Sequence, residues 1–162
     1  MTAIDRIIDE LRRAHDGDPW HGSPVTKVLE GVTATQAAAR PLAGAHTIWE
    51  LVLHMTTWRD EVARRVQSGV AGDPDAPDWP PMPEPSDAAW DAALHALDES
   101  HAHLLRTVAA LPPARLDDVL GDRRSPPQGT GVSYYVMLHG IAQHDAYHAG
   151  QIAMLKKAVS AA

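Results

Sequence analysis

The chain has 162 residues, no cysteine, and a formal net charge of −7 with its lysines and arginines scattered. That balance excludes the clustered basic surface nucleic acid requires, and the missing thiol excludes disulfides, thiolate metal ligands and a cysteine nucleophile. No apolar run approaches the roughly 20 residues that span a bilayer, and the charged amphipathic start is neither signal peptide nor anchor, so a single cytoplasmic domain over residues 1–162 is expected.

The first predicted helix runs from Thr2 to His15, with Ile4, Ile7, Ile8 and Leu11 on one face, and ends at Gly17, Asp18 and Pro19. Val25 to Val32 reads as one or two helical turns. Thr33 to Gly44, which holds Pro41 and Gly44, reads as a connection. A second long helix is expected from His46 to Gln67, stopped by Gly69. Asp73 to Pro85 carries six prolines and must be a loop. The third long helix opens at Ser86, a good N-cap, and ends before Pro112. The fourth lies in the apolar run from Val132 to Val159. Phenylalanine is absent, the mix is rich in Ala and Leu, and no alternating strand pattern is present. Four long helices without strands predict an all-α four-helix bundle. The connections are longer than hairpins need, so one of them can cross an end of the bundle.

The last helix carries the most informative residues. His144 and His148 stand one turn apart on one face, a ready grip for a divalent metal. Their neighbours Ile141, Ala142, Ala146, Ala149 and Ile152 are small or apolar, so unpartnered imidazoles there are costly. Asp145, not Glu, follows His144, so a zincin-type peptidase motif is absent. An open catalytic site takes three protein ligands. His54 is the best third candidate, at the centre of a stripe formed by Glu50, His54, Trp58 and Glu61. His139 falls on the far side of the last helix. Asp91, His95 and Glu99 read as a solvated face, His15 and His21 flank a turn, and His46 faces the mouth of the site. Gly150 reads as a helix-packing or loop-approach glycine.

Two stretches resemble a known family. His46-Thr-Ile-Trp-Glu-Leu-Val-Leu-His54, with Trp58 after it, is similar to the second-helix motif of the DinB/YfiT-like metalloenzymes. Leu138-His-Gly-Ile-Ala-Gln-His144-Asp-Ala-Tyr-His148-Ala-Gly-Gln-Ile152 is similar to their last-helix motif. The resemblance implies a four-helix bundle with a crossing connection and a homodimer. It also implies one divalent metal on His54, His144 and His148, with zinc or nickel foremost and iron or manganese next. Some relatives transfer or use bacillithiol or mycothiol, and others resemble metal-dependent hydrolases. Mycothiol-dependent isomerases carry Glu where this chain has His144, which places it nearer the bacillithiol-transferase type.

The expected function is therefore a metal-dependent enzyme that activates a small thiol or water against a small-molecule substrate, with thiol transfer favoured. A low-molecular-weight thiol would be the second cofactor. Glu50, Asp145 and Tyr147 are the catalytic candidates, with Gln151 one turn beyond Tyr147. Asp73 to Pro85, through Trp79 and Met82, and Arg123 to Thr130 are candidate pocket walls. The alternative is a non-catalytic metal- or ligand-binding bundle tied to stress, closed by Glu50 or Glu61 as a fourth ligand.

Overall fold

The computed structural model describes residues 1–124 and 132–160. Its long helices are α1 (Ala3–His15), α4 (Ile48–Ser68), α5 (Asp87–Ala109) and α6 (Tyr134–Ser160), with the short α2 (Val25–Leu29) and α3 (Ala34–Ala38) between the first two. Side-chain caps set most of their starts. Thr2 and Asp5, Thr33 and Gln36, and Thr47 and Glu50 each form a reciprocal capping box, and Ser86 Oγ accepts from Ala89 N–H. Gly69 ends α4 with φ +72°, a left-handed conformation that a side chain resists.

Three expectations need correction. Thr33 to Gly44 contains the helix α3, because Thr33 and Gln36 cap it and Ala34 and Ala37 bury themselves in the core. Two strands also exist. Val70–Ala71 (β1) pairs in parallel with Gly121–Asp122 (β2). Two residues are too few for any alternation to be visible in sequence. The fourth helix begins at Tyr134 rather than Val132.

α4 packs along α5 and α6, and α1 packs against the same two helices. α1 and α4 therefore lie across one diagonal, and α5 and α6 across the other. The connections from α1 to α4 and from α5 to α6 both span the bundle, which is the crossing expected of this topology. Among the described residues, no helix is long and apolar enough to cross a membrane.

The core is two apolar clusters, not one. The first gathers α2, α3, the start of α4 to Met55, the start of α5 to Leu97, and α6 from Ala149 onward. The second gathers α1, α4 from Val62, α5 from Leu104, and α6 up to Ala142. Between them lies a layer of buried polar side chains: His15, Arg59, Ser100, His101, Asp145 and His148. Buried polar groups cost free energy unless each finds a partner. How this layer is satisfied determines the candidate site.

Candidate metal centre

α4 and α6 bring three histidines together. His54 Nε2 lies 3.0 Å from His144 Nε2, and His148 Nε2 lies 3.1 Å from the same atom. The opposite nitrogens of two rings face away and are occupied. His54 Nδ1–H donates to the Asp78 carbonyl at 2.7 Å, and His148 Nδ1–H donates to Gln151 Oε1 at 2.6 Å. With their protons on Nδ1, both rings present Nε2 lone pairs to the centre. His144 has one ring proton and can answer only one of them. The group lacks an electron-poor partner for all three nitrogens, and a divalent cation is one. Nitrogens about 2.0–2.1 Å from a tetrahedral zinc lie about 3.3 Å from one another, close to the two distances to His144, and all three ligand atoms lie within 4.8 Å of one another.

The electrostatics agree with ligand duty. Burial, reinforced by the neighbouring His148 and His54 rings, pushes His144 down to about 3. Burial also lowers His148, against the opposing hydrogen bond from Gln151. Both are neutral at pH 7, the form that ligates metal without first losing a proton.

The proline-rich segment forms the roof. Trp79 is sandwiched between His46 and His54, with ring centroids 3.5 and 3.9 Å away and planes within 7° of parallel. Asp78 Oδ1 accepts from Trp58 Nε1 at 2.6 Å, so one residue pins both Trp58 and His54. Met82 packs with Trp79 on the first apolar cluster. The segment covers one side of His54 through Asp78 and Trp79. Of the other candidate wall, residues 125–130 lie outside the described residues, and Arg124 pairs with Asp122 beside β2.

The carboxylates are placed differently. Glu50 Oε2 accepts from Thr47 N–H and Oε1 from Arg40, both at 2.7 Å. Glu61 is buried and gripped by Arg64 and Arg65. Among the described residues, neither joins the three histidines as a fourth ligand. Tyr147 is exposed, with its ring edge-on to His148 at 5.1 Å. His139 pairs with Glu10 away from the centre, while Asp91, His95 and Glu99 are exposed.

Asp145 points into the polar layer and is fully buried. Arg59, also fully buried, donates to Asp145 Oδ2 from Nε at 3.1 Å and from Nη2 at 2.9 Å. Its Nη1 donates to the Leu97 carbonyl at 3.1 Å, and Nη2 also faces His15 Nδ1 at 3.3 Å. One guanidinium thus ties α4 to α6, α5 and α1. Burial pushes the Asp145 carboxyl up and Arg59 opposes it. The guanidinium is permanently charged and takes Asp145 as its counter-ion. Asp145 Oδ1 and His144 Nδ1 have no hydrogen-bond partner and face each other at 4.0 Å. A small rotation of the His144 ring would join them.

Sequence reasoning missed Arg59, His15 and His101. A signal for Arg59 was present. It stands in the register of Val52, Met55, Val62 and Val66, all buried, so a charge there must find a partner inside. His15 was placed at a turn, yet it is buried and stacks on His101 at 4.0 Å. No signal within one helix announces that pairing.

Comparison with known proteins agrees with this architecture. The sequence model described as the DinB superfamily matches residues 20–152. No curated protein matches the chain. The crystal structure of a conserved protein from Enterococcus faecalis has a TM-score of 0.68 at 18% identity, covering 100% of this chain and 99% of that one. At that identity the likeness concerns the fold.

Proposed function

The chain belongs to the DinB superfamily, and on that premise we propose that it is a divalent-metal-dependent enzyme in which His54, His144 and His148 hold the ion. The observation behind this reading is the convergence of three Nε2 atoms, two of them on rings whose Nδ1 protons are engaged elsewhere. Zinc or nickel suits an all-imidazole set best, with iron or manganese next. A bound cation would supply a Lewis acid that draws the pKa of water toward about 7 and holds a thiol as its thiolate.

The side chains around it have distinct tasks. The Asp78 carbonyl and Gln151 fix the tautomers of His54 and His148. Asp145, held by Arg59, stands 4.0 Å from His144 Nδ1, where a small ring rotation would let it orient that ligand. Tyr147 stands at the mouth, where its phenol can donate to charge developing on the substrate. Trp79 keeps water from one face of His54. Glu50 braces the start of α4. Three neutral ligands leave the full 2+ charge of the ion uncompensated, which favours an anionic partner such as a thiolate. Transfer of a small thiol to an electrophilic carbon is the favoured reaction, ahead of hydrolysis.

The test pairs zinc-loaded protein with cysteine, mercaptoethanol or bacillithiol and 1-chloro-2,4-dinitrobenzene. The sulfur bonds to the ring carbon, chloride leaves with the bonding electrons, and the thiol proton passes to buffer. Lewis-acid stabilisation of several kcal/mol predicts an acceleration of about a hundredfold or more over zinc-free protein and over His144→Ala. Zinc binding without acceleration by any thiol would favour the non-catalytic metal-binding bundle instead.

A further inference from the structure

Beside the histidine centre lies a cavity of about 530 Å³ that the three ligands do not themselves line. Its size falls in the range of small-molecule pockets. Leu42, Leu51, Met154 and Leu155 give it an apolar body. His46, Tyr147 and Gln151 form its polar edge; Tyr147 and Gln151 touch the centre directly, and His46 reaches it through Trp79. Gln151 accepts from His148, Tyr147 packs edge-on to His148, and His46 stacks on Trp79, which stacks on His54. A molecule in the cavity therefore lies against Tyr147 and Gln151, the two residues that contact the His148 ring.

No lining residue carries a fixed charge. Beside His46, Arg40 and Glu50 are paired at 2.7 Å, and the remaining Glu50 oxygen lies 3.4 Å from His46 Nδ1. Nothing there offers a free counter-charge to an ionic ligand. Gly150 sits on the cavity wall, and a Cβ built on it meets no atom within 4 Å. The expectation that Gly150 serves close packing is therefore wrong. Its missing side chain leaves open the space in which a ligand would lie.

We propose that this cavity is the acceptor subsite: it binds a neutral, mainly apolar organic molecule whose one hydrogen-bonding group meets Tyr147 and Gln151. The proposal rests on the enzymatic reading for the word acceptor, but the binding itself is independent of metal. The subsite sets substrate choice by shape and apolar area, while the histidines act on whatever reactive group the bound molecule presents to them.

The test is saturation-transfer NMR with benzyl alcohol and toluene as probes, on zinc-free and zinc-loaded protein. Wild type should bind both probes in either state. Gly150→Leu fills the cavity from a good helix position and should weaken both by about tenfold or more, with zinc content and helicity unchanged. Tyr147→Phe should weaken benzyl alcohol alone. Equal binding by wild type and Gly150→Leu would overturn the subsite. So would no binding by wild type, including the case in which a second copy of the chain covers the cavity. Loss of zinc by wild type with probe binding intact would refute the metal reading and leave the cavity standing.

Discussion

Arg59→Met lowers the stability of the zinc-free protein by about 3–5 kcal/mol, a large share of what a domain of this size has. The reason is the partner left behind. Asp145 is fully buried, and Arg59 supplies both hydrogen bonds to its Oδ2. Removing the guanidinium strands a carboxylate in the core and releases the Leu97 carbonyl and His15 Nδ1 as well. Replacing both charges avoids that penalty, so Arg59→Met with Asp145→Leu should recover most of the loss. Urea unfolding of the wild type, the single variant and the double variant checks this. A loss below about 1 kcal/mol in the single variant would mean that the pair is solvated rather than central.

Acid should be the second large effect, and it acts through the same layer. His15 Nδ1 faces the Arg59 guanidinium and its Nε2 lies 3.0 Å from Asp98 Oδ1. The carboxylate favours a protonated ring, but Arg59 already donates to the only free nitrogen. Burial, then Arg59 and His101, pushes His15 down to about 2. Burial and Arg59 push His101 down to about 3. In the unfolded chain both titrate near 6.5, so below that pH the unfolded state holds more protons and stability falls with pH. The loss begins near pH 6.5 and continues to about pH 3 for His101 and about pH 2 for His15. Each ring costs about 1.4 kcal/mol per pH unit, so the two together cost about 4 kcal/mol at pH 5. Urea midpoints of zinc-free protein at neutral pH and at pH 5 measure it. His15→Gln with His101→Leu should remove about that much of the difference. An unchanged pH dependence in the double variant would place both rings in solvent.

The long helices were legible because their signals are local. The cap at Ser86 and the stop at Gly69 act within one turn of the chain. The stripe of α4 placed His54 among buried neighbours, and the spacing of His144 and His148 placed them on one face. What stayed hidden depends on contacts between distant segments. Asp78 meets His54 across 24 residues, and Arg59 meets Asp145 across 86. The bond from His54 to Asp78 rests on a backbone carbonyl, which no residue type can announce. α3 was hidden because a five-residue helix has too little apolar pattern to stand out beside Pro41 and Gly44. Asp145 was singled out beside His144, but the guanidinium it holds lay on another helix.

Whether three histidines form one metal centre is decided by the zinc content of tagless protein and of His148→Ala, each loaded and then dialysed. Wild type should hold about one zinc per chain and the variant almost none, because its two remaining imidazoles cannot close an open three-ligand site. No zinc in wild type, or equal zinc in both, would contradict a shared centre.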